Sequence, residues 1–161
     1  PGAVAGQQVW HQMDGSLKLP RCPYRNVGPV AQNLFRFNHA GIYARERIER
    51  AGGYHPGFRM SYDTFLVSLM FLTGPAVRLA EERQYHRVLR ADSLTRDPAT
   101  ALQSPARAEV RRELARIYAD CWRLYKAKRE REIPERIRRT IDPELRAEVT
   151  YHADQLRRLI A

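Results

Sequence analysis

The stretch Gly52-Gly53-Tyr54-His55-Pro56-Gly57-Phe58-Arg59-Met60-Ser61-Tyr62-Asp63-Thr64-Phe65-Leu66 organises the reading of the whole chain. A glycine pair stops whatever precedes it, because glycine accepts left-handed dihedrals at a helix end. Pro56-Gly57 then marks a loop. Ser61 stands where its hydroxyl is expected to cap a new helix. Phe65, Leu66, Leu69, Met70 and Leu72 supply an apolar stripe, so Ser61 to Thr73 reads as an amphipathic helix ended by Gly74-Pro75. Asp63 falls in its first turn. There a carboxylate has two readings: a complement to the helix dipole and its free amides, or a general base positioned by a rigid helix start. His55 reads as structural, as does His39.

Upstream, residues 44–51 read as a short charged helix. Phe35-Arg36-Phe37-Asn38 alternates aromatic and polar residues, which suits a strand. Residues 1–33 are rich in Gly, Pro and Gln and are expected to form loops with short extended pieces. Downstream, 76–80 and 84–89 look like two short strands, and 90–103 like a polar loop. The last third reads as helical. Ser104-Pro105 is a cap followed by a first-turn proline. Val110, Leu114, Ile117, Cys121 and Leu124 recur at spacings that share one face, widened by Tyr118, Trp122 and Tyr125. Pro134 breaks the pattern or opens a new turn. Asp142-Pro143-Glu144 is a further start signal, with Leu145, Val149, Leu156, Leu159 and Ile160 as its stripe, and the two helices are expected to pair as a hairpin or to present a surface for a partner. The fold class is α+β. The expected organisation is a loop-rich lead-in over 1–33, a mixed region of a few short strands over 34–103 and a helical extension over 104–161.

The 161 residues carry 28 Lys and Arg against 18 Asp and Glu, a net charge of +10, with 43% apolar residues. That composition supports a core and excludes wholesale disorder. Two cysteines, Cys22 and Cys121, make no disulfide framework or metal finger. No apolar run approaches the roughly 20 residues that cross a bilayer. No leader segment is visible at the start, which also lacks an initiator Met, so the chain reads as a piece of a longer one. Free cysteines and the absent leader point to a cytoplasmic protein, with room for membrane association. The charge favours anionic partners. However, mixed-sign runs such as Lys126 to Glu132 read as a solvated face, and aromatics do not interleave with Lys and Arg along the chain as stacking platforms would.

The glycine pair followed by Tyr54, then Phe58, then Asp63 at a helix start, resembles the acceptor half of inverting family 2 glycosyltransferases. The likeness extends forward to Gln84-Tyr85-His86-Arg87-Val88-Leu89-Arg90-Ala91-Asp92-Ser93-Leu94-Thr95, similar to that family's late strand and "Tyr-x-Arg … Ser-Leu-Thr" loop. It extends back to Asn38-His39-Ala40-Gly41-Ile42-Tyr43-Ala44-Arg45, and covers roughly residues 33–96. The resemblance implies the C-terminal portion of a GT-A-like α/β domain, a nucleotide-sugar donor and a divalent metal, Mg or Mn. It implies that Asp63 is the base that deprotonates an acceptor hydroxyl, on a saccharide, a lipid or a protein. Tyr62 stands where the family often has a second acid. Arg87 and Arg90 fall where the late loop approaches the donor diphosphate, which the planar fork of arginine suits. His86 is a candidate metal ligand there. Tyr54 and Gly53 would face the acceptor sugar, and Trp10 is a further aromatic able to stack on one. The family's Asp-x-Asp element and its donor-binding half are absent from this chain, and Asp14-Gly15-Ser16 does not replace them. The resemblance therefore implies a partner region that supplies them. It leaves no role for a specific nucleic acid and allows peripheral membrane contact. The alternative is a non-catalytic basic helical module that binds an acidic protein, nucleic acid or a membrane surface.

Overall fold

Two three-stranded sheets are each centred on a strand from the first eleven residues. The computed structural model describes residues 3–5, 7–19, 41–74, 78–79, 83, 85–90 and 96–147. In the first sheet β1 (Ala3–Ala5) lies between β4 (Gly41–Tyr43), antiparallel to it, and β5 (Arg78–Leu79), parallel to it. In the second, β2 (Gln8–His11) lies between β3 (Leu17–Lys18), antiparallel, and β6 (Tyr85–Val88), parallel. The short extended pieces of the lead-in are thus the middle strands. Asp14-Gly15-Ser16 closes the β2–β3 hairpin: the Asp14 carboxylate accepts the Ser16 amide at 2.9 Å and the Ser16 hydroxyl at 2.6 Å, as an aspartate does in a tight turn. The expected strand at Phe35–Asn38 lies outside the described residues.

The helices make the core. α1 (Arg45–Arg50) ends on Gly52 and Gly53, whose φ values are +90° and +76°. Gly53 N–H reaches Ile48 O at 2.9 Å and Gly52 N–H reaches Glu49 O at 3.0 Å. These are the two bonds that satisfy the last carbonyls in a Schellman turn.

α2 (Tyr62–Thr73) differs from its expected form in two ways. Ser61 has φ +60° and makes no side-chain cap. Its left-handed backbone turns the chain sharply into the helix, which carries the hydroxyl away from the first amides. The helix is also buried nearly all round rather than along one stripe: Val67 and Ser68 are enclosed together with Phe65, Leu66, Leu69, Met70 and Leu72. Ser68 and Thr73 tolerate this because their hydroxyls donate back to Thr64 O at 2.9 Å and Leu69 O at 3.1 Å.

α3 (Pro105–Lys126) follows its sequence signals. Ser104 Oγ accepts the Arg107 amide at 3.2 Å and Pro105 occupies the first turn. Leu114, Ile117, Tyr118 and Cys121 are buried against α2, with Val110, Trp122 and Leu124 at the margin; burial pushes the Cys121 thiol up to about 12. Lys128, at φ +57°, ends α3 in a second Schellman turn, in which Arg129 N–H reaches Leu124 O at 2.9 Å. A 3-10 turn (Glu130–Glu132) then leads into α4 (Ile133–Arg138), with Pro134 in its first turn. This short helix stands between α3 and the helix start at Asp142. Ile133 and Ile137 complete one cluster with Ala51, α2 and α3, so the core joins residues on both sides of 103/104. Asp142 caps a further helix start, accepting the amides of Glu144 at 2.9 Å and Leu145 at 3.3 Å. The rest of that helix's expected stripe lies outside the described residues.

Candidate functional site

The described hydrogen bonds and ring contacts gather the sequence-derived site residues into two groups. The first follows the glycine turn. Tyr54 emerges from Gly53 and stays 55% exposed, and its ring meets that of Tyr62, 39% exposed, edge-on at 5.6 Å between centroids. Asp63 follows at the start of α2, partly buried, its Oδ1 receiving the Thr64 hydroxyl at 3.4 Å. Its charge also acts on Arg107, whose guanidinium is pulled below the usual arginine range mainly by burial and pushed back by Asp63. Arg107 Nε donates to Thr100 O at 2.9 Å. The loop between Tyr54 and Asp63 is pinned by His55, which is buried against Phe58. Its Nδ1 accepts the Gly57 amide at 3.2 Å, so its proton resides on Nε2, which donates to Thr140 Oγ1 at 3.0 Å. Thr140 in turn donates to Ile137 O at 2.6 Å. His55 is thus structural: it ties the loop that carries the tyrosines to the end of α4.

The second group lies on the β3-β2-β6 sheet. Side chains alternate across a strand. The register pairs Trp10 with Lys18 on one side and with Arg87 on the other, so all three share a face. The Lys18 ammonium is 5.7 Å and the Arg87 guanidinium 5.5 Å from the Trp10 ring centre, within cation–π range. The Trp10 indole donates to the Gln8 side chain behind it. An aromatic therefore does interleave with Lys and Arg, contrary to the linear reading, because the interleaving runs across strands. Arg90 is exposed just beyond β6. His86 points to the opposite face, where its Nδ1 lies 2.8 Å from His11 Nε2. Among the described residues no group of three or more His, Cys, Asp and Glu side chains is placed to hold a metal ion. The donor set therefore does not fit a Mg or Mn centre in this part of the chain. Asp92, Ser93 and Thr95, like His39, lie outside the described residues.

The arginines of the last third are largely spoken for. Arg116 pairs with Glu113, Arg129 with Glu132, and Arg138 and Arg139 with Glu135, all within a turn or so of helix. Asp120 accepts from Arg123 on its own helix and from Arg136, which joins α3 to α4; the Arg136 hydrogen bond, helped by the nearby arginine charges, holds its carboxyl below the usual range. A cavity of about 550 Å³ lined by Arg50, Thr73, Glu130, Arg131 and Pro134 opens at the far end of α2 from Asp63. No helix among the described residues is long and apolar enough to cross a membrane. No family model, curated protein or solved structure matches the chain.

Sequence reasoning missed His11, Lys18 and Arg107. The first two gain their roles from strand register, and Arg107 from the packing of α3 beside α2, and neither leaves a mark in the local sequence.

Proposed function

We propose that the chain is the acceptor-side portion of an inverting, GT-A-like glycosyltransferase of family 2 type. The observation that carries this reading is the Asp63 carboxylate, partly buried at the start of the rigid helix α2 and next in sequence to Tyr62 of the exposed Tyr54–Tyr62 pair. Tyrosine rings present flat apolar faces on which a sugar ring can stack. A carboxylate beside them is placed to take the proton of an acceptor hydroxyl on a saccharide, lipid or protein. The freed oxygen attacks the anomeric carbon of a nucleotide sugar as the bond to the diphosphate breaks, which inverts the configuration. Arg87 and Arg90 would neutralise the leaving diphosphate, and Gly53 lets the acceptor approach the backbone closely. The donor-binding half, with the Mg or Mn ion that the resemblance implies, belongs to a region outside this chain, and no step here is assigned to a metal held by it. A cytoplasmic location with peripheral membrane contact is part of the same reading.

The test is turnover of a panel of nucleotide sugars by the chain together with its donor-binding half, with Mg or Mn supplied. The expected result is transfer by the parent and, in Asp63→Asn, a loss of about 10²–10⁴-fold in kcat, the usual worth of a general base. Near-normal turnover in the variant removes Asp63 as the base. No turnover with any donor removes the transferase reading.

The Lys18–Trp10–Arg87 ladder favours a second reading, a binding module for an anionic partner. The basic helices support it less, because Arg116, Arg123, Arg129, Arg136, Arg138 and Arg139 are paired with carboxylates. Nucleic-acid affinity that falls steeply with salt, and that drops in Arg87→Ala, would select it over the transferase.

A further inference from the structure

We propose that His11 and His86 form a two-imidazole site for a borderline divalent ion such as Zn²⁺, which clips β2 to β6. The strands run parallel with His11 opposite Val88 and His86 opposite Val9, so the two histidines are diagonal neighbours on one face. Their rings lie 5.1 Å apart between centroids and are tilted by 38°. His11 Nε2 and His86 Nδ1 converge to 2.8 Å on the solvent side.

At that distance one nitrogen donates and the other accepts, so a lone pair already points into the gap. A shift of the donor ring's proton to its other nitrogen aims both lone pairs there, with no net loss of a proton. Zinc–nitrogen bonds of ~2.0–2.1 Å at a tetrahedral angle hold the two nitrogens about 3.3 Å apart, so the pair needs to open by only about half an ångström. Water fills the remaining positions.

No cationic side chain of the three described strands shares the histidines' face. Val9, Leu17 and Val88 share this face by register, while Lys18 and Arg87 stand on the other. Imidazole selects Zn²⁺, Cu²⁺ or Ni²⁺, whereas Mg²⁺ prefers oxygen ligands. The site is therefore separate in kind from any ion that would serve a sugar-nucleotide donor, and it does not rest on the transferase reading. An ion here bridges residues 75 positions apart in sequence. Only the folded chain presents both rings, so occupancy stabilises the fold by linkage.

The experiment is calorimetric titration with Zn²⁺ at pH 7.5, with thermal melting in and out of zinc, for the parent, His11→Gln, His86→Gln and Lys18→Ala. Far-UV circular dichroism checks that each variant is folded. The expected outcome is saturable uptake of one ion by the parent and by Lys18→Ala, with a raised Tm, loss of both effects in each histidine variant, and no uptake of Mg²⁺. Absence of uptake by the parent overturns the proposal. So does uptake that persists unchanged in both histidine variants, which would place the ligands elsewhere in the chain.

Discussion

Gly74 lies directly against the guanidinium of Arg47: a Cβ at Gly74 would stand 2.9 Å from both Cζ and Nε of that side chain. Arg47 projects from α1 to the C-terminal end of α2 and is only 3% exposed. Its Nη2 donates to Met70 O at 3.1 Å, and among the described residues its Nε and Nη1 find no partner. Burial pulls its pKa below the usual arginine range. Its one side-chain hydrogen bond among the described residues is to the carbonyl end of α2, where a helix dipole favours a cation.

This contact gives a pair of opposed mutational outcomes. Gly74 has an extended φ of −150°, so alanine there meets no backbone penalty and costs only through the contact. Gly74→Ala is expected to lower unfolding stability by about 1–3 kcal/mol, the usual effect of overpacking. Arg47→Met removes two unpaired buried donors and is expected to leave stability unchanged or to raise it by up to about 1–3 kcal/mol. In the Arg47→Met background the cost of Gly74→Ala should largely vanish. Urea midpoints of the four proteins decide this, and simple additivity would show that the two residues are not coupled.

The glycine pair offers a second contrast. Both residues have positive φ, but their surroundings differ. A Cβ at Gly52 would stand 3.3 Å from Ile137 Cβ and 3.4 Å from Pro134 Cα, whereas one at Gly53 would meet nothing within 4 Å. Gly53→Ala should therefore cost only the left-handed strain, roughly 1–2 kcal/mol. Gly52→Ala carries that strain and presses α4 away from the end of α1, so its loss should be larger by about 1 kcal/mol or more. Equal losses in denaturant midpoint would mean that α4 does not pack against the turn as described.

The elements that punctuation and periodicity govern were legible in the sequence: the α1 end at Gly52-Gly53, the reach of α2 to Gly74, and the Ser104-Pro105 start and buried face of α3. What escaped has a common cause. Ser61 and Lys128 adopt left-handed conformations that their residue types do not advertise, so one cap was misassigned and one Schellman turn was invisible. α2 reads as amphipathic because one of its buried positions, Ser68, is polar; its back-bond to the Thr64 carbonyl lets it be enclosed. The strand partnerships escaped altogether. Strands of two to four residues carry too little pattern to set register, and register alone places Trp10 between two cations and His11 beside His86. Of the candidate site, Asp63, Tyr54, Arg87 and His86 were visible as residue types, but their separation into two groups was a matter of tertiary pairing.

His55 sets a pH dependence whose sign follows from its contacts. Burial lowers its pKa from the ordinary value of 6.5. Protonation of Nδ1 would also forfeit the bond from the Gly57 amide. Glu113 acts in the opposite sense, more weakly. The unfolded chain takes up this proton near pH 6.5, and the folded chain does so only at lower pH. The stabilisation from the neutral ring is therefore complete above pH 6.5 and is lost as pH falls from there toward the folded pKa, by about 1.4 kcal/mol for each unit of depression. Asp120, with its lowered carboxyl, adds its own loss only in the carboxylate range, below the window from pH 7.5 to 5.5. Urea midpoints across that window should fall for the parent. They should fall less for His55→Gln, which starts lower at pH 7.5 because the bonds to Gly57 and Thr140 are weakened. A parent curve no steeper than the variant's would mean that the imidazole in the fold accepts its proton as readily as it does in water.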